Sequence, residues 1–89
     1  MNKLYTKAYF KKRDHLDLHI AESIRQFMNE RKLKSLLDVG CGTGRMVKYF
    51  NDKNFKALGC DIYDDALKTA RRINKKNSIV RASAMKLPF

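Results

Sequence analysis

Acidic residues are scarce in this chain, cysteines are few, and no hydrophobic run is long. Nine Asp and Glu stand against 20 Lys and Arg, a formal net charge of +11. That excess steers a protein toward RNA, DNA or an anionic surface and says nothing of fold. A solvated basic surface is the competing reading, because the cations are spread over Lys11 to Arg13, Arg31 to Lys34 and Arg71 to Lys76. Aromatics mix with bases only between Tyr5 and Arg13. No apolar stretch approaches the roughly 20 residues that cross a bilayer. Charges interrupt the N-terminal segment MNKLYTKAYFKKRDH every few residues, so it lacks the apolar core of a signal peptide. A cytoplasmic protein without a membrane span is expected. The two cysteines, Cys41 and Cys60, form no CxxC pair and have no ligand cluster around them. They read as free thiols, and a zinc site has little support.

Internal repeats, Gly/Ser linkers and low-complexity tracts are also missing. What is present fits one domain: 89 residues with 44% hydrophobic content, enough to bury about 60–65% of the unfolded surface. Leu16, Ile20, Ile24, Phe27 and Met28 recur at spacings of three and four, marking the apolar face of a helix that Asp14 is placed to cap. Ser35 to Val39 reads as a short buried strand, followed by a helix from Thr43 or Gly44 to about Phe50 with Met46, Val47 and Phe50 inward. Asn51 to Asn54 reads as a turn, and Phe55 to Cys60 as a second strand ending at Asp61. A third helix opens on Asp64 and Asp65 and closes on Arg71, Arg72, Lys75 and Lys76, a charge order that complements its dipole. Ala66, Leu67, Ala70 and Ile73 form its stripe, and residues 79–82 make a third strand. The order αβαβαβ with short connections predicts an α/β, Rossmann-like parallel sheet.

Ten residues carry the chemistry. Leu36 to Arg45 read LLDVGCGTGR, a strand, a glycine-rich turn and the start of a helix. That order places main chain and a helix N-terminus at the C-terminal edge of the sheet, where open α/β folds bind ligands. Gly40, Gly42 and Gly44 allow positive φ and let a ligand lie against bare backbone. Asp61 follows Gly40 by 21 positions, at the end of the neighbouring strand, where an acid accepts hydrogen bonds from ribose hydroxyls. The pair points to a cofactor containing a nucleoside. The alternative is a purely structural turn with Asp61 capping the next helix.

The loop is GxGxG rather than the GxGxxG of dinucleotide sites, and here the chain resembles the class I S-adenosylmethionine-dependent methyltransferases. LLDVGCGTGR is similar to that family's first motif, GCDIY at 59–63 to its second, and SAMKLPF at 83–89 to its third, often D-A-x-x-L-P-F. The likeness runs from about residue 5 to 89, and its small-molecule, type 11-like branch looks nearest. Carried over, it implies that Gly40, Cys41, Gly42 and Gly44 bring backbone to the cofactor. It also implies that Asp38 orients the methionine amino group, Asp61 holds the ribose and Ile62 packs on adenine. Ser83, Ala84 and Met85 would border the adenine edge. Family members often carry Asp where Ser83 stands, so that contact is expected to be weaker by about 1 kcal/mol.

The resemblance further implies a seven-stranded sheet of which residues 1–89 hold the cofactor-binding part, with an arm and helix over 1–32 and the core over 33–89. The methyl acceptor, a small molecule, and the catalytic residues are expected beyond residue 89. The first strand, paired on both sides in the whole fold, would leave 35–39 with an open edge for a partner chain or a second copy. Two other functions stay in view: an RNA methyltransferase fragment using the basic surface, and a non-catalytic cofactor- or partner-binding module. His15 and His19 read as a surface pair without a third metal ligand. Tyr5, Tyr9 and Phe10 read either as a lid over the cofactor or as packing on the sheet. Cys41 has no base placed to make it a nucleophile.

Overall fold

The computed structural model describes residues 16–83, 85 and 86. Tyr5, Tyr9, Phe10, the basic run Lys11 to Arg13, Asp14, His15, Ala84 and the end of the third motif, Leu87 to Phe89, lie outside the described residues. Within them the order is α1 (Leu18–Glu30), β1 (Ser35–Val39), α2 (Arg45–Asp52), β2 (Lys56–Asp61), α3 (Asp64–Ile73) and β3 (Ile79–Arg81). The strands form one parallel sheet in the order β1-β2-β3. The expected alternation of helix and strand is therefore the observed one. No helix among the described residues is long and apolar enough to cross a membrane.

The first helix departs from expectation at both its cap and its face. Asp17 is the N-cap, its Oδ1 accepting from the Ile20 amide at 3.2 Å, so the helix opens beyond the point an Asp14 cap would set. Ala21 and Met28 are buried, with Leu16 and Ile24 packed beside them. Ile20 and Phe27 are each 50% exposed. The reason is geometric. Among the described residues α1 packs on α2, and that contact covers a stripe narrower than the apolar residues span. The Arg31 guanidinium lies 3.8 Å over the Phe27 ring and covers its open side.

The core lies between the helices and the sheet face that carries Leu36, Ala57 and Ile79. Phe50 and Leu67 are its largest fully buried side chains. Phe50 stands edge-on to Tyr49 at 5.0 Å and to Phe55 at 5.2 Å between ring centroids, the arrangement that aromatic quadrupoles favour. α3 carries Asp64 and Asp65 in its first turn and Arg71 and Arg72 in its last, with Ala66, Leu67 and Ala70 buried. On the other sheet face Leu37 and Val39 are exposed. β1 is thus half-covered rather than buried, because among the described residues the helical core packs on one of its two faces.

Asn51 does more than turn the chain. It sits in α2, its Nδ2 donating to the Ala57 carbonyl at 3.0 Å while its Oδ1 accepts from the Ala57 amide at 2.9 Å. β3 pairs with β2 only over Gly59 to Asp61, so the amide side chain satisfies backbone that no strand reaches. Asn51→Ala leaves both groups without that partner, each worth about 1–3 kcal/mol when buried. A urea titration should show destabilisation of about 2 kcal/mol or more. A midpoint like that of the unaltered chain would show that solvent serves Ala57 equally well.

Candidate functional site

The site is built at the C-terminal ends of β1 and β2. Asp38 and Asp61 share the sheet face of Gly59, since Asp38 pairs in register with Gly59 and Asp61 lies two residues further along β2. Between the strand ends runs the loop Gly40 to Gly44, with φ of +77° at Gly40, +57° at Gly42 and +77° at Gly44. Side chains rarely adopt such angles, so glycine is required at all three.

Every amide at the front of this loop is turned inward. The Gly40 and Cys41 amides both donate to the Cys60 carbonyl, each at 2.8 Å. The Gly42 amide donates to Asp61 Oδ2 at 2.8 Å. Asp61 Oδ1 accepts from the Ile62 amide at 2.7 Å and the Tyr63 amide at 3.1 Å. Asp61 is 7% exposed, and its carboxylate accepts three hydrogen bonds, leaving one lone-pair direction of about four. The expected convergence of Gly42 and Asp61 on one crevice is therefore a direct bond between them.

Asp38 is different. It is half-buried, and no hydrogen bond or ion pair to it is found among the described residues. Burial raises its pKa above the ordinary carboxylate value, and the nearby Asp61 charge raises it further. The Cys41 thiol is pushed up to about 12, first by burial and then by Asp38, Asp61 and Cys60. Cys41 is thus a neutral thiol at physiological pH, unsuited to nucleophilic work. Cys60 is buried, and both cysteines are free.

The other expected site residues take distinct places. Among the described residues nothing lies within 4 Å of where a Gly40 side chain would begin, so none of them covers that face of the loop. At Gly44 the same position meets Asn74 Nδ2 at 2.6 Å and Ala70 Cβ at 3.0 Å. The third glycine therefore lets α2 and α3 approach, and Asn74 Nδ2 donates to its carbonyl at 3.0 Å. Ile62 is half-buried beside Asp61. The Asp61 carbonyl accepts from the Ala82 amide at 3.0 Å, which ties the residue before the third motif to the end of β2. Ser83 Oγ accepts from the Met85 amide at 3.0 Å, and Met85 is 89% exposed. Among the described residues no group of His, Cys, Asp and Glu is placed to hold a metal ion. The sequence reading passed over Gly59 and the Cys60 carbonyl. A glycine inside a strand, where no turn needs it, is the signal that was available for the first.

The chemistry of this crevice is specific. Loops that bind pyrophosphate aim free amides at it, whereas here the amides of residues 40–42 are already bonded and two carboxylates flank the turn. Such a surface disfavours phosphate and favours a ligand that carries positive charge and hydroxyl donors.

Comparison with known proteins accords with that. The sequence profile of a family described as Methyltransferase domain matches residues 37–89, more than half of the chain. Malonyl-(acyl-carrier protein) O-methyltransferase of Salmonella typhimurium is 32% identical over 56 residues, 63% of this chain and 22% of that protein. The plantazolicin methyltransferase BpumL, in complex with a triazolic desmethylPZN analog and SAH, superposes with a TM-score of 0.71 at 22% identity, covering 92% of this chain and 34% of that one. The PH0226 protein of Pyrococcus horikoshii OT3 gives 0.66 at 22% identity, over 99% of this chain and 38% of that one. At such identity the two structures speak for the fold alone. The chain spans between about a fifth and two fifths of the length of these relatives. With residues 37–89 matched, this chain belongs to the methyltransferase domain family.

Proposed function

We propose that these residues form the cofactor-binding portion of an S-adenosylmethionine-dependent methyltransferase whose acceptor is a small molecule. The observation that carries this is the crevice itself: an open backbone face at Gly40, the Asp61 carboxylate bonded to the Gly42 amide, and Asp38 without a partner among the described residues. S-adenosylmethionine carries an ammonium and a sulfonium and no phosphate, which matches two acids beside spent amides. When bound, that cofactor supplies a methyl group already activated by its sulfonium.

The residues divide the work of holding it. Asp38 pairs with the ammonium, and the match relieves the cost of a half-buried lone carboxylate. Asp61 accepts from one ribose hydroxyl through the remaining lone pair of Oδ2. Gly40 to Gly42 give the methionine and ribose a flat main-chain floor, Ile62 flanks adenine, and Ser83 to Met85 border its edge. Positioning of this kind contributes about 7–11 kcal/mol to a group transfer when the acceptor is aligned as well. The catalytic residues and the acceptor pocket belong to the remainder of the longer enzymes that this chain resembles. A cytoplasmic setting belongs to the same reading and is supported by two free thiols. The named relatives bear no reference to RNA, and the site geometry does not call for it.

Calorimetric titration of the chain with S-adenosylhomocysteine tests the assignment. Saturable binding is expected, weakened at least tenfold by Asp61→Ala, a loss of about 1.4 kcal/mol. Equal titration by a phosphate-bearing dinucleotide, or no effect of the substitution, would remove the assignment.

Asp38 gives a pH prediction. Its pKa is raised in the folded state, so folding is favoured below the unfolded carboxylate value and that advantage is lost as pH rises through the folded one. Asp38→Asn should raise the melting temperature at neutral pH and weaken binding of S-adenosylmethionine. A variant that melts lower and binds as before contradicts the role given to Asp38.

The outer edge of β1 suggests a contact. An apolar hollow of about 420 Å³ lies over β1 and β2, lined by Ser35, Leu36, Leu37, Lys56 and Leu58 and set mostly on the exposed sheet face, while the outer edge of β1 has no strand neighbour among the described residues. We infer that another strand pairs there, from further polypeptide or a second copy. As an 89-residue chain the protein should show by light scattering a mass that rises with concentration above 10.4 kDa. A constant monomer mass would count against pairing.

A further inference from the structure

Gly59 has ordinary backbone angles for a strand, so its lack of a side chain answers to space. A Cβ there would stand 2.7 Å from Val47 Cγ2, 2.8 Å from Cys41 Cβ and 2.9 Å from Cys41 Sγ. Real Cβ atoms essentially never approach so closely. Cys41 Cβ is one bond from the backbone, so relief on that side moves the loop itself rather than the tip of a flexible chain. The side chain of Cys41 thus seats in the gap that Gly59 leaves in β2.

We propose that Gly59 is a positioning residue for cofactor binding: its bare Cα is the seat on which Cys41 fixes the height of the glycine loop above β2. The proposal rests on the cofactor site described above. Three hydrogen bonds follow directly from that height. The Gly40 and Cys41 amides reach the Cys60 carbonyl at 2.8 Å, and the next residue's amide reaches Asp61 Oδ2 at 2.8 Å. Cys60 and Asp61 directly follow Gly59 on the same strand, so seat and partners move as one rigid unit. Lifting Cys41 lengthens all three bonds together, and such bonds weaken steeply once their geometry opens. The loop's open face at Gly40 then no longer sits level with the carboxylate that accepts from the sugar. Cys41 suits the seat because its thiol stays neutral among two acids. Its Sγ also lies 3.8 Å from the Gly42 carbonyl, a weak sulfur contact that steadies the turn.

The two sides of the gap provide the test, since Cys41 belongs to the loop and Val47 to α2. Gly59→Ala should weaken S-adenosylhomocysteine binding by roughly tenfold or more and speed hydrogen exchange at the Gly42 amide. Adding Cys41→Gly removes both loop atoms and should restore protection at Gly42 together with most of the affinity. Adding Cys41→Ala keeps the Cβ and should restore less. Adding Val47→Ala relieves only the helix side and should recover thermal stability without recovering affinity. It also provides a folded background should Gly59→Ala alone fail to fold. Unchanged affinity and unchanged Gly42 exchange in Gly59→Ala would overturn the proposal, as would equal rescue of both by the Cys41 and Val47 changes. The exchange measurement needs no ligand. If the unaltered chain fails to bind S-adenosylhomocysteine, the cofactor reading falls while the Gly42 protection pattern still decides whether Gly59 sets the loop.

Discussion

Three main-chain amides seat the glycine turn on β2, and one of them joins it to the acid: the Gly42 amide donates to Asp61 Oδ2 across the ends of two parallel strands, at 2.8 Å. The bond fixes the glycine turn over β2 and spends the amide that a phosphate-binding loop would leave free. It also buries an acid with its charge satisfied by backbone donors, the condition under which a carboxylate is tolerated away from water. Remove it and Asp61 keeps two of its three donors, from Ile62 and Tyr63, but its link to the turn is lost.

The rest of the structure can be understood as support for that bond. β2 supplies its acceptor because the sheet pairs β2 on both sides, with β1 over Ser35 to Val39 and with β3 over Ile79 to Arg81. Where β3 falls short, Asn51 completes β2 through Ala57. Gly44 and Gly59 allow close approach from α3 and from the loop. Asn74 then ties the Gly44 carbonyl to the last turn of α3. The aromatic cluster of Tyr49, Phe50 and Phe55 holds α2 against the sheet.

Much of this was legible in the letters. Hydrophobic periodicity and glycine punctuation set the order of six elements. The spacing from Gly40 to Asp61 brought the two together, since a strand, a turn, a helix and a second strand fill that interval in only one compact way. The capping of α1 by Asp17, the burial of Ala21 with Ile20 and Phe27 left exposed, and the strand-like service of Asn51 were not legible. The last two depend on what a neighbouring element covers, which local pattern does not report, whereas Asp14 and Asp17 offer the same local capping chemistry and the Ile20 amide bonds to the second. The inward turn of the loop amides escaped for a related reason. A glycine motif records that backbone comes close to something, and here the something is first of all the end of β2.

The central claim is that Asp61 and Gly42 together meet the ribose of a phosphate-free nucleoside cofactor. It is tested most directly by nuclear magnetic resonance during addition of S-adenosylhomocysteine, following the Gly42 amide and the Asp61 carboxyl carbon. Both signals should move along one saturation curve, with the Gly40 and Ile62 amides beside them. Saturable shifts elsewhere in the chain, with Gly42 and Asp61 unmoved, would contradict the claim.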